Sequence, residues 1–405
     1  MAVLLVGTLD TKGVEFQFVR ELLNQAGVDT LVIDTGVMGP PYFAPDIPRE
    51  RVFAAAGTSL EAIQRVGDRG QAIEAAARGA TTCAQLCASD VSGILSLGGS
   101  AGTTIGTAVM RAFPFGVPKL MVSTLASGQV RPYVGVRDIL MMNSVVDISG
   151  LNRISRTVLT NVANAMIGMV KGSTQPDQAS HASEKPIITA TMFGVTTPCI
   201  EAARKILEAQ DYEVLVFHAT GTGGLTMESF IRDGLIRGVL DLTTTELADE
   251  LVGGILSAGR DRLTAAGLCG VPQVISLGAL DMVNFGPPET VPEKFRGRRF
   301  YQHNPTVTLM RTTPEENDEL GKEIAHKASA ARGLTAVLVP LKGVSALDAV
   351  GKPFWWPEAD AALFQSLRNW MSPQVRLIEL DLHINDPAFA EMAVRTLFEI
   401  MKSSA

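Results

Sequence analysis

The sequence predicts an α/β protein: two doubly wound, mainly parallel-sheet Rossmann-like domains joined by a polar linker. Three observations predict it, namely the length, the alternation of apolar runs with helix-patterned stretches, and one polar interruption near the middle. At 405 residues the chain is too long for one ordinary domain and suits two. Apolar residues make up 46% and charged residues 19%, which supplies two cores and excludes disorder of the whole chain. The interruption is Lys171–Pro186, a stretch with almost no apolar content that cannot contribute to a core. It divides the chain into residues 1–171, a linker over 172–186, and residues 187–405.

In the first domain, strands are expected at Ala2–Val6, Thr30–Asp34, Gly93–Leu97 and Lys119–Ser123. Helices are expected near Val14–Ala26, Leu60–Arg65, Gly70–Cys87, Thr103–Arg111 and Ile154–Val170. The strand runs are continuously apolar, not alternating, as when helices cover both faces of a sheet. Alternating β and α implies parallel pairing through right-handed crossovers. The second domain repeats the style, with strands at Ile187–Met192, Glu213–His218, Gly238–Asp241, Gln273–Ser276, Thr306–Met310, Thr335–Val339 and Arg376–Asp381. Several of its helices open on proline (Pro198, Pro314, Pro357, Pro387), where the missing N–H does no harm.

The formal charge of -7 and a pI near 5.4 argue against a nucleic-acid partner. The short basic run Arg296–Arg299 reads as a loop feature. Cys83, Cys87, Cys199 and Cys269 form no Cys-x-x-Cys pair and read as reduced, buried thiols. No run of about 18 apolar residues appears, so no membrane span is expected. A strand begins at once without a basic leader, and a cytoplasmic protein is expected.

Ligands of open parallel sheets bind outside the carboxyl ends of the strands. After the first strand comes Gly7-Thr8-Leu9-Asp10-Thr11-Lys12-Gly13. There Thr8 and Thr11 offer hydroxyls, Asp10 a metal ligand, and Lys12 a cation near a helix start that already favours anions. After the third comes Gly98-Gly99-Ser100-Ala101-Gly102-Thr103-Thr104, a bare backbone leading into a helix, as phosphate binding requires. Asp34, ending the second strand, is placed to accept from a ribose. Thr124, Ser127 and Gly128 supply a further small, hydroxyl-rich edge. A P-loop and a Gly-x-Gly-x-x-Gly fingerprint are both absent. In the second domain, His218 at a strand end and Asp281 are the candidate proton carriers. The run Ala219–Gly224 resembles a second anion-binding turn. Asp386 before Pro387 reads as a helix cap in preference to a metal ligand with His383.

The runs Gly7–Lys12, Ser96–Thr103, His218–Gly224 and Asp381–Asp386 together resemble the Tm-one-like ATP-binding family, named after a tobamovirus-resistance protein of tomato. The resemblance spans essentially the whole chain. It implies a nucleotide-binding first domain, a second α/β domain and a homodimer. Plant members add a barrel domain, which is not expected here, and their viral role is not carried over. The leading expectation is an ATP-binding enzyme, with Mg²⁺ and an unidentified small-molecule substrate in a cleft between domains. The alternatives are a non-catalytic nucleotide-gated module that binds a protein, and an enzyme acting on a sugar phosphate or carboxylate without ATP.

Overall fold

Each apolar run becomes a central strand because its successive side chains point to opposite faces, and both faces are covered by helices. The computed structural model describes residues 1–173 and 185–403, so most of the expected linker lies outside the described residues. The chain divides into two compact units, Met1–His181 and Ala182–Ala405.

The first unit runs β1 (Ala2–Gly7), α1 (Leu9–Gln25), β2 (Thr30–Asp34), then three helices, α2 (Arg49–Ala55), α3 (Leu60–Val66) and α4 (Arg69–Leu86). It continues with β3 (Val91–Gly98), α5 (Ser100–Arg111), β4 (Lys119–Ser123), the short α6 (Arg131–Val134), β5 (Leu140–Asn143) and α7 (Arg153–Ser173). The five strands are all parallel, in the order β2-β1-β3-β4-β5. Along β1, Val3 and Leu5 pack with Phe16 of α1 and Val162 of α7. Leu4 and Val6 face the other way, onto Val52 of α2, Ala76 of α4 and Ile105 of α5. The strand order reverses between β1 and β3, and at such a reversal the adjoining crossovers leave the sheet on opposite sides and open a crevice.

The second unit runs β6 (Ile187–Met192), α8 (Thr197–Glu208), β7 (Glu213–His218), α9 (Thr222–Arg232), β8 (Gly238–Thr243), α10 (Glu246–Val252), α11 (Ala265–Cys269) and β9 (Gln273–Gly278). Next come β10 (Met282–Phe285), β11 (Phe300–Asn304), β12 (Val307–Arg311), α12 (Pro314–Ser329), β13 (Thr335–Pro340), α13 (Pro357–Trp370), β14 (Arg376–Leu380) and α14 (Pro387–Ser403). Six strands form a parallel sheet in the order β14-β13-β9-β8-β6-β7. Leu320 and Leu363 of α12 and α13 pack on one face, and α8 and α14 cover the other.

One expectation is corrected. The strand foreseen at Thr306–Met310 forms as β12, but it sits in a separate antiparallel sheet, β10-β12-β11. Its neighbours β10 and β11 are short and, in β11, polar (Phe-Tyr-Gln-His-Asn), so no apolar run announced them. Among the described residues, no helix is long and apolar enough to cross a membrane.

Candidate functional site

At the carboxyl ends of β1 and β3, the first unit encloses a cavity of about 890 Å³. Its lining includes Thr8, Asp10, Thr11 and Lys12 from one expected loop and Gly98, Gly99, Ser100 and Gly102 from the other. Two segments some 90 residues apart therefore meet where the strand order reverses.

The second of these loops is bare for a steric reason. A Cβ on Gly98 would stand 2.9 Å from the Gly102 Cα, so β3 can deliver the chain into α5 at this distance only as glycine. The first residues of α5 have no intrahelical acceptor for their N–H groups; the first internal bond at this end runs from Thr103 N–H to the Gly99 carbonyl, at 2.8 Å. Across the cavity, the Thr8 and Thr11 hydroxyls share a hydrogen bond of 2.8 Å. Lys12 breaks the helical geometry of α1 (φ -128°, ψ 15°), and its Nζ donates to the Ile148 carbonyl. Ile148 follows Val145, a β-branched residue held at φ 66°, and Asp147 of the same loop also lines the cavity. Such backbone strain persists only where the surroundings impose it.

Several expected contacts lie elsewhere. Asp34 is fully buried and absent from the cavity lining; its Oδ1 accepts from Leu9 N–H (3.0 Å) and Gly36 N–H (2.9 Å), stapling the loops after β1 and β2. Burial pushes its carboxyl above the ordinary value, against the pull of those two N–H donors and of Arg49. Asp34, expected to face a ribose, thus stands outside the cavity lining, and its neighbour Thr35 lines it. Asp10 does line it, but its Oδ2 accepts from Met38 N–H (2.7 Å) and Gly39 N–H (3.3 Å). Thr103 is buried, its hydroxyl 2.6 Å from that of Ser123 and 2.8 Å from the Gly99 carbonyl. The Thr104 hydroxyl turns back to the Ser100 carbonyl (2.9 Å). Thr103, Thr104, Thr124, Ser127 and Gly128 do not line the cavity.

The far wall was missed from the sequence. It comes from α3 and α4, through Ile63, Gln64, Arg69, Ala72, Ile73 and Ala76. The signal was present: Arg69, Ala72, Ile73 and Ala76 fall at i, i+3, i+4 and i+7, one face of a helix, and two of the four are alanine. Among the described residues, no group of three or more His, Cys, Asp or Glu is arranged to hold a metal ion.

The second unit resolves its expected anion turn differently. Gly221 N–H (2.7 Å) and Gly224 N–H (3.0 Å), at the start of α9, both donate to Oε1 of Glu246. The anion in that turn is the protein's own carboxylate. Glu246 Oε2 receives Arg262 Nε at 2.6 Å, and Arg262 also pairs with both oxygens of Asp241 at 2.5 and 2.6 Å. All three side chains are buried. Where this sheet reverses, between β6 and β8, the Thr196 and Thr243 hydroxyls meet at 2.8 Å and both residues are fully buried. His218 is exposed on the edge strand β7. Asp281 is fully buried and accepts the Ser345 hydroxyl at 2.7 Å. His383 Nε2 meets the Ser345 carbonyl, and Asp386 accepts the His383 N–H (2.8 Å), closing a local turn before α14.

Burial, with the nearby Asp348 charge, pushes Asp281 up to about 7 and Asp360 up to about 8; Arg311 opposes both shifts. Asp249, buried beside Asn284, is likewise pushed up to about 7. An acid with a raised folded-state pKa binds more protons folded than unfolded, so its contribution to stability is complete below the unfolded value of 3.8. That contribution is lost as pH rises through about 7 to 8. Thermal melts should therefore show the midpoint falling between pH 5 and 8, by roughly the few degrees that ~1 kcal/mol moves a large domain. The fall should be shallower in Asp281→Asn. A midpoint that rises over this range would contradict the assignment.

Fold and site define a two-unit α/β protein with a glycine-rimmed cavity on its first sheet. The chain belongs to the family described as Uncharacterised protein family (UPF0261), whose N-terminal domain model matches residues 1–175 and C-terminal domain model residues 185–401. A UPF0261 protein of Clostridium tetani is 51% identical over 403 residues, covering 99% of each chain. One of Rhizobium meliloti is 49% identical, covering 98% of each. The ToMV resistance protein Tm-1(GCR237) of Solanum lycopersicum is 40% identical over 419 residues, covering 98% of this chain and 56% of the tomato protein.

Proposed function

We propose that this chain is an ATP-binding protein that holds the nucleotide in the first unit's cavity, with the phosphates against Gly98–Gly102 and Lys12. The observation that carries the reading is that both glycine- and hydroxyl-rich strand-end loops line one cavity where the sheet order reverses. Unpaired N–H groups at the start of α5 favour an anion, and Lys12 adds a charge-assisted donor. Mg²⁺ would enter on the phosphates. Asp10, with Oδ2 committed to the loop after β2, would offer the ion only Oδ1. The reading extends to a cytoplasmic enzyme acting on an unidentified small molecule, and to a homodimer on the strength of the resemblance.

A non-catalytic, nucleotide-gated module that binds a protein is the second reading. It is favoured by the placement of the two candidate proton carriers, since His218 is exposed on an edge strand and Asp281 is sealed in a buried network. ATP consumption across a metabolite panel separates the two.

Isothermal titration with ATP·Mg²⁺ tests the binding itself. Lys12→Ala should bind roughly tenfold to a hundredfold more weakly, the usual worth of a hydrogen bond to a charged group. Equal heats in both proteins would remove Lys12 from the site, and no heat in either would remove the nucleotide.

A further inference from the structure

We infer that Gln64 reads the base of the nucleotide, its Oε1 accepting the exocyclic amine of an adenine; this rests on the nucleotide reading above. Gln64 lines the cavity, and its Nε2 donates to the Val37 carbonyl at 2.7 Å. A carbonyl can only accept, so chemistry fixes which end of the amide faces Val37. Turning the amide over would set Oε1 against the carbonyl oxygen. The free end of Gln64 is therefore an acceptor, and no partner for it exists among the described residues.

The Val37 carbonyl is itself held in place. The next two residues, Met38 and Gly39, give their N–H groups to Asp10 Oδ2, and Arg49 donates to the Gly39 carbonyl. The Asp10 side chain is 1% exposed, so the carboxylate end of the clamp is buried. A buried carboxylate thus fixes a loop, the loop holds one end of the Gln64 amide, and the other end is an acceptor on a residue that lines the cavity.

The wall beside it suits a flat ring. Ile63 precedes Gln64 on α3, and Ala72, Ile73 and Ala76 of α4 face the same space. Small apolar side chains leave room for a heteroaromatic plane but cannot satisfy polar groups on its edge. Gln64 is exposed, so an amine on that edge exchanges water for Gln64 Oε1, and a ring lacking the amine forgoes that bond.

The test compares ATP with purine riboside triphosphate, which lacks only the amine, by titration calorimetry on the full chain with Mg²⁺. Wild type should bind ATP about tenfold more tightly, the typical worth of one hydrogen bond. In Gln64→Leu, checked for an unchanged melting profile, the two affinities should converge. Equal binding by wild type would overturn the base-reading role and leave the nucleotide site standing. A preference surviving in Gln64→Leu would overturn the assignment to Gln64. Absence of binding by either nucleotide would overturn the nucleotide reading and this inference with it.

Discussion

Arg262→Ala should unfold the second unit or bring it close to unfolding. The guanidinium lies fully buried between Asp241 and Glu246, with Glu228 Oε1 3.6 Å away. Truncation would leave buried carboxylates without their shared cation, a change that costs about 3–5 kcal/mol. That is a large share of a domain's total stability. The loss is sharpened because two of the acids also anchor backbone. Glu246 holds Gly221 and Gly224, and Glu228 accepts from Leu263 N–H (2.6 Å) and Ala265 N–H (2.7 Å). Chemical denaturation followed by circular dichroism should show a lowered midpoint, while the first unit keeps its fold. Loss of less than about 1 kcal/mol would mean that the carboxylates find water or protons at little cost.

Gly98→Ala should abolish nucleotide binding more completely than any charge removal at the rim. The added methyl would meet the Gly102 backbone at 2.9 Å, and a backbone atom cannot rotate aside. β3 and α5 must then separate, carrying the α5 N–H groups away from the cavity. The accompanying destabilisation should be about 1–3 kcal/mol, as for other overpacked sites. Titration with ATP·Mg²⁺ should give no measurable heat although the variant remains folded. Wild-type affinity in Gly98→Ala would show that the loop tolerates the shift and that the phosphates lie elsewhere.

The first sheet was legible because its strands are buried on both faces. Leu4 and Val6 serve one core, Val3 and Leu5 the other, and the result is an uninterrupted apolar word. The loops at the strand ends were legible for a related reason, since glycine and hydroxyl residues stand out between such words. Strand β5 was missed because it is an edge strand, with Leu140 half exposed and no second face to bury. The antiparallel sheet was missed because β11 carries polar side chains on mostly exposed positions.

Within the site, sequence named the residues near β1 and β3 but misjudged how many of them face a guest. Asp34 and Thr103 look like ligand contacts by their place at strand ends and helix starts, yet Asp34 Oδ1 accepts from the N–H groups of Leu9 and Gly36, and the Thr103 hydroxyl bonds Gly99 and Ser123. Only packing decides whether a polar group at a strand end turns outward or inward. The wall from α3 and α4 had a readable helical stripe, but nothing in the spacing said that it would face Gly98 and not a core. Likewise Glu246 and Arg262, 16 residues apart, gave no sign of meeting in the interior.

The carboxylate seated in the Gly221–Gly224 turn has a consequence for how many guests one chain can host. Both parallel sheets are wound alike at their reversal points, so ancestry or symmetry alone would suggest a pair of equivalent berths. In the second half a side chain belonging to the protein already occupies the turn, and interlocked threonines fill the gap beside it. On the nucleotide reading, this turn is closed to a second phosphate, because Glu246 already takes the N–H groups of Gly221 and Gly224.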